Sequence, residues 1–147
     1  MARTVILSSA RTPFGKMGGA LSTVNAAELG GVAIAGALER AGVAPDQVEQ
    51  VSFGQVIQAG QGQIPSRQAQ INGGVPKEVP SETVNKVCAS GMRATGLIDQ
   101  AIRAGDIEVG VSGGMESMSL APYLLPGART GFRMGDVKSI DSMTHDG

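Results

Sequence analysis

The chain of 147 residues holds one cysteine, one histidine and no tryptophan. One cysteine cannot form a disulfide within the chain. One cysteine and one histidine cannot build a structural zinc site, so no metal is expected. Aromatic residues are only 3%, so any core must be made of aliphatic side chains. The 12 Lys and Arg residues are offset by 13 Asp and Glu, leaving a net charge of -1. No basic stripe offers itself to a nucleic-acid backbone. No stretch reaches the ~18 consecutive apolar residues that span a bilayer. Met1 to Leu7 lacks the long apolar run of a signal peptide. A chain without nucleic-acid or membrane partners, in the reducing cytoplasm, is the expectation.

What the chain does have is glycine, 22 residues of it, within a composition that is 41% apolar and 17% charged. That length and apolar content suit one compact domain with a true core. Abundant glycine lets backbones approach each other or a ligand. Helices lying flat on a sheet, the α/β class, make use of this.

Val5 to Leu7 form a short apolar run that predicts a buried strand. Residues 10–19 carry Pro13, Gly15, Gly18 and Gly19 and read as a loop. Asn25 to Glu28 has capping-box spacing, and Leu29, Val32, Ala33, Ala37 and Ala41 follow with helical period. Gly42 sits where a left-handed cap belongs. A second strand is predicted over Val51 to Ile57, a turn over Gly60 to Gly62, and a short helix over Ile64 to Ile71. Thr83 to Val87 reads as a third strand, Ser90 to Ala104 as a helix ended by Gly105, and Ile107 to Val111 as a fourth strand. Strands alternating with helices predict a mainly parallel sheet. After Met118 no period is sustained, and residues 119–147 read as an excursion from the core. The chain stops at Gly147 with no helix or strand to close the fold, which suggests a piece of a longer protein.

Cys88 falls at the predicted junction of strand and helix. The first N–H groups of a helix lack intrahelical partners and carry partial positive charge. A thiolate is stabilised there, and the thiolate is the nucleophilic form. The same N–H groups can hold the oxyanion of a tetrahedral intermediate. Ala89, Ser90 and Gly91 leave room for an acyl group. Two readings stand side by side on these residues: an acyl-accepting nucleophile, or a small apolar side chain packed in the core.

Ser112 to Ser119, with Gly113, Gly114, Met115, Glu116 and Met118, is the other notable segment. Glycines after a strand permit a sharp turn and close backbone approach. Its methionines either line a pocket or fill the core, and core filling is the commoner use. His145 beside Asp146 in the irregular tail reads as a solvated loop histidine rather than a base. Gly60-Gln61-Gly62 lacks the third glycine of a dinucleotide fingerprint, and there is no P-loop.

Taken together these stretches resemble the thiolase family. Val84 to Ala94 is similar to its nucleophile signature, and Gly113 to Ser119, continued by Ala121 to Tyr123, to a second signature. Ser8 to Gly15 and Gly54 to Gln63 are similar to its first two strand-and-loop segments. The stretches are similar to those of bacterial biosynthetic acetyl-CoA acetyltransferases within the family.

The resemblance implies an α/β, thiolase-like fold: the first half of a five-layered αβαβα body, with the start of an inserted loop domain. Residues 1–118 would be the half-domain core and residues 119–147 the beginning of the loop domain. It implies that Cys88 forms an acetyl thioester, and that a second acetyl-CoA condenses with it to acetoacetyl-CoA and CoA, reversibly. Coenzyme A thioesters would be substrate and product, with no tightly bound cofactor. Leu124 to Met134 would join dimers into a homotetramer. The family's activating histidine and second cysteine belong to a second half, so the piece is expected to be inactive alone. Two other readings stay open: a non-catalytic binding or assembly module, and a condensing enzyme of ketoacyl-synthase type.

Overall fold

The computed structural model describes residues 3–147; Met1 and Ala2, which open the predicted core unit, lie outside the described residues. Helix α1 spans Ala26–Ala41 and is capped as its sequence dictates. The Glu28 N–H donates to Asn25 Oδ1 at 2.8 Å, and the Asn25 N–H donates back to the Glu28 carboxylate at 3.3 Å. Gly42, at φ 65°, ends the helix in the left-handed conformation. Strand β1 is Gln50–Gly54, helix α2 Pro65–Asn72 and strand β2 Ser81–Val84. Helix α3 is Ser90–Ala104 and strand β3 Gly110–Gly114.

The three strands are parallel in the order β2-β1-β3. Strand residues alternate between faces. Val51 and Phe53 join a cluster with Ile34 and Leu38 of α1, Ala69 of α2 and Met115. Burying a side chain such as Ile34 contributes roughly 1.5–3 kcal/mol. Gly54 and Gly110 meet α3 instead, at Ser90 and Ile98. The sheet is therefore a middle layer, with α1 and α2 on one face and α3 on the other.

The buried stripe of α1 is Ala26, Ala27, Gly30, Gly31, Ile34 and Leu38, not the face expected from Leu29, Val32 and Ala33. Close approach to α2 selects this stripe. A Cβ on Gly31 would lie 2.5 Å from Asn72 Cβ, and one on Gly30 would lie 2.9 Å from Ala69 Cβ. Small residues win the interface because backbone proximity, not side-chain size, brings these helices together, and Val32 is left exposed.

All four strand expectations need correction. Val5 to Leu7 form no strand and are exposed, Ile6 by 82%. Their segment is held over α1, where the Ser8 hydroxyl donates to Ala37 O and the Arg40 guanidinium to Ser9 O. The second strand ends at Gly54, and Gln55 to Ile57 turn away as a loop. The third ends at Val84, because the Val87 N–H donates to the Asn85 side chain rather than to a ladder.

The fourth strand is displaced to Gly110–Gly114. Glu49 takes the N–H groups of Glu108 and Val109 before the ladder begins. The glycines belong to the strand rather than to a turn after it, since a Cβ on Gly113 would meet the Phe53 ring at 2.7 Å.

Beyond β3 the chain is less regular but not without structure. Tyr123–Leu124 (β4) pairs antiparallel with Ile140–Asp141 (β5), apart from the main sheet. A single helical turn, α4, follows at Ser142–His145, correcting the expectation that no element stands at the chain's end. The Ser142 hydroxyl donates to Pro122 O at 2.6 Å and the Gly18 N–H to Ser119 Oγ at 3.1 Å, stitching this segment to itself and to the N-terminal loop. Among the described residues no helix is long and apolar enough to cross a membrane.

Candidate active site

The carboxyl ends of parallel strands are where open α/β sheets bind ligands. Here three segments leave those ends together: Gln55 to Ile57 after β1, Asn85 to Ala89 after β2, and Met115 to Ser117 after β3. The ladder carries over between them. The Gln55 N–H donates to Val84 O and the Met115 N–H to Gly54 O, each at 3.0 Å.

Cys88 lies in the middle segment, between the end of β2 and the start of α3, and is exposed. Among the described residues it is not packed in a core. Its loop is closed tightly. Ser90, the first residue of α3, is buried to 4% exposure. Its hydroxyl accepts from the Lys86 N–H at 2.8 Å and donates to Val87 O at 2.5 Å. The Ser90 and Ala89 N–H groups donate to Val87 O and Lys86 O. Val87 adopts φ 49°, a left-handed conformation that a β-branched residue avoids unless its surroundings impose it.

Glycines set how closely the helix start meets the sheet. A Cβ on Gly54 would lie 2.4 Å from the Ser90 carbonyl carbon and 2.5 Å from the Gly91 nitrogen. On the neighbouring strand a Cβ on Gly114 would lie 3.3 Å from Gly91 Cα. The N-terminus of α3 therefore rests directly on the ends of β1 and β3. The Arg93 N–H donates to Ala89 O at 2.9 Å, the first bond of helical spacing. The Ala89 and Ser90 N–H groups are taken by Lys86 O and Val87 O, so among the described residues those of Gly91 and Met92 are the ones the helix start leaves without carbonyl partners.

Glu116 stands two residues beyond β3 and is half-buried. Its carboxylate accepts from the Val56 N–H at 2.9 Å and the Ile57 N–H at 3.2 Å. Burial raises its pKa above the ordinary 4.5, against the opposing pull of those two donors and of the Gln55 side chain. Of the two methionines in this stretch, Met115 is buried in the core and Met118 is exposed. His145, the exposed last residue of α4, makes no hydrogen bond to Cys88 among the described residues.

A family model described as the thiolase N-terminal domain matches residues 4–147. The chain belongs to the thiolase family. This thiolase chain is 56% identical over its whole length to an acetyl-CoA acetyltransferase of Cupriavidus necator. It is 52% identical to an acetyl-CoA acetyltransferase of Pseudomonas aeruginosa and 50% identical to a probable acetyl-CoA acyltransferase of Staphylococcus epidermidis. In each case the whole chain is covered but only 37% of the relative, so it spans little more than a third of their length.

Sequence reasoning singled out Cys88, named Ser90 only for its small size and Glu116 only within the Ser112 to Ser119 segment, and gave Asn85 no role. A serine opening a helix and an asparagine two residues before a strained position are both local signals for side-chain-to-backbone bonds. Nothing local in the sequence signals that Glu116 reaches the loop after β1, some 60 residues earlier in the chain.

Proposed function

We propose that this chain supplies the acyl-accepting thiol of a full-length acetyl-CoA acetyltransferase, with Cys88 as that thiol. The Cys88 sulfur, its proton removed, attacks the carbonyl carbon of acetyl-CoA. An S–acetyl bond forms, the C–S bond to coenzyme A breaks, and coenzyme A leaves with the proton. A second acetyl-CoA then loses a proton from its α-carbon, and that carbon attacks the acetyl-cysteine. The new C–C bond gives acetoacetyl-CoA, while the C–S bond to Cys88 breaks and its sulfur is reprotonated. Each acyl group passes between thioesters in the first step, which keeps that step nearly balanced in free energy and reversible.

The observation that carries this reading is the exposed Cys88 in a loop clamped against the start of α3, at the carboxyl edge of the sheet. Helix-start N–H groups suit the developing oxyanion. Neither proton transfer finds its base in this chain, whose one histidine is the exposed His145. Those roles are assigned to the part of the protein that the relatives carry and this chain does not. Without a positioned base the rate is lowered about 10²–10⁴-fold, so the chain alone is inactive. Exposed Leu125, Phe132 and Met134 support assembly of the full-length protein into homodimers or a homotetramer.

Rapid mixing of the full-length protein with acetyl-CoA tests this. A burst of free coenzyme A, one per Cys88, is expected before the slower condensation, and it disappears in Cys88→Ser. A full-length protein that condenses acetyl-CoA with no burst, or with a burst that survives Cys88→Ser, overturns the assignment.

A further inference from the structure

The geometry points to Glu116 as a positioning residue for Cys88, acting through Asn85; the inference rests on the role proposed above for Cys88. Glu116 bonds the N–H end of the peptide joining Val56 and Ile57, at 3.2 Å. The carbonyl end of that same peptide, Val56 O, accepts from Asn85 Nδ2 at 3.3 Å. The other end of the Asn85 amide, Oδ1, accepts from the Val87 N–H at 3.0 Å. That N–H belongs to the peptide whose carbonyl, Lys86 O, accepts from the Ala89 N–H at 3.2 Å. Amide dipoles thus run head to tail from a half-buried carboxylate to the two residues that flank Cys88.

Bonds in such a chain polarise one another, and each fixes the orientation of the next. The anchor is firm because Glu116 also takes the Val56 N–H and stands just past the end of β3, a strand of the central sheet. The far end is where order is needed. Val87 occupies a conformation unfavourable for valine, and without the Asn85 bond its N–H has no partner among the described residues. Releasing it lets the loop relax and shifts Cys88 relative to the start of α3. Glu116→Gln puts an NH₂ group against one of two N–H donors. Asn85→Ala removes the middle of the chain at an exposed position, where the fold tolerates it.

The test uses the full-length protein and two reactions of the same thiol. Acetyl transfer from saturating acetyl-CoA requires aim, whereas alkylation by iodoacetamide requires only an accessible thiol. Misplacement of reacting atoms by about 1 Å costs on the order of 10²-fold. Asn85→Ala and Glu116→Gln are each expected to slow acetyl transfer about 10–100-fold on that scale, through kcat rather than KM, with alkylation within about twofold of wild type. The double variant is expected to be no slower than the slower single one, since both cut one chain.

Acetyl transfer unchanged in Asn85→Ala, or losses that multiply in the double variant, overturns the positioning role. Should Glu116→Gln fail to fold, Asn85→Ala alone decides. Wild-type protein that is never acetylated at Cys88 refutes the reading of the site instead, and so is distinguishable.

Discussion

Replacing Gly54 by alanine adds one methyl group at the point where strand β1 meets the start of α3. The new Cβ would stand 2.4 Å from the Ser90 carbonyl carbon, 2.5 Å from the Gly91 nitrogen and 2.6 Å from Ser90 Cβ, against 3.4 Å for ordinary contact. Two of these atoms are backbone, so no rotamer change relieves the clash. The helix start must retreat from the sheet by about 1 Å, and the Cys88 loop, tied to Ser90, must move with it. Overpacking of this kind costs about 1–3 kcal/mol, and the backbone location places it at the upper end. A shift of ~1 Å in the reacting group lowers acyl transfer by roughly 10²-fold. Gly96, in the middle of the same helix, supplies the control. A Cβ there meets only an Arg93 side-chain nitrogen, at 4.0 Å. Glycine in a helix interior is worth about 0.5–1 kcal/mol less than alanine, so Gly96→Ala is expected to stabilise and leave acyl transfer unchanged. Denaturant midpoints and single-turnover acetyl transfer in the full-length protein measure both. A Gly54→Ala protein that melts and reacts like wild type, or a Gly96→Ala protein that is equally damaged, would refute the close-approach argument.

Other expectations follow from single residues. Cys88→Ser should abolish acylation with little change in unfolding midpoint, because the thiol is exposed; a large loss of stability would show a packing role. The Glu49 carboxylate, held below its ordinary pKa of 4.5 by the Glu108 and Val109 N–H groups, binds protons less readily in the folded state than in the unfolded one. Its contribution to stability is present above 4.5 and lost as pH falls through the folded value. Glu49→Gln should therefore flatten the acid limb of a stability–pH curve, and an unaltered limb would contradict the assignment. Glu116 runs the other way. Burial raises its pKa, so the folded state holds the proton more tightly, and stability falls as pH rises from 4.5 through the raised value and is flat above it. Direct titration of Glu116 by NMR checks the sign, and a folded pKa below 4.5 would reverse it.

The elements legible in the sequence are those with chemical punctuation. Helix α1 begins where Asn25 and Glu28 satisfy each other's backbone donors and ends where Gly42 turns left-handed. Helix α3 ends the same way at Gly105. Strand bounds were less legible, because in β3 glycine does what it does in turns and more. Gly113 reads as part of a turn after the strand, yet Gly110 and Gly113 make room for Ile98 and Phe53 on opposite faces of one continuous strand. The apolar spacing of Val84 and Val87 suggested a strand running to the thiol, whereas the Asn85 side chain captures the Val87 N–H and bends the chain.

Val5 to Leu7 carry a strand's composition, but pairing needs a neighbour as well as a pattern, and none of the described strands takes them. The candidate site was half legible. Cys88 declares itself by its place at a strand–helix junction, and that junction exists. Its supports at Ser90, Asn85 and Glu116 depend on long-range folding that brings three strand ends together, which no local window of sequence displays.

Peptide mapping of the full-length protein after incubation with labelled acetyl-CoA and quenching at low pH tests the central claim most directly. Label confined to the peptide containing Cys88, and discharged when free coenzyme A is added before the quench, is the expected result. Label on another residue, or none on a protein that still makes acetoacetyl-CoA, would contradict it.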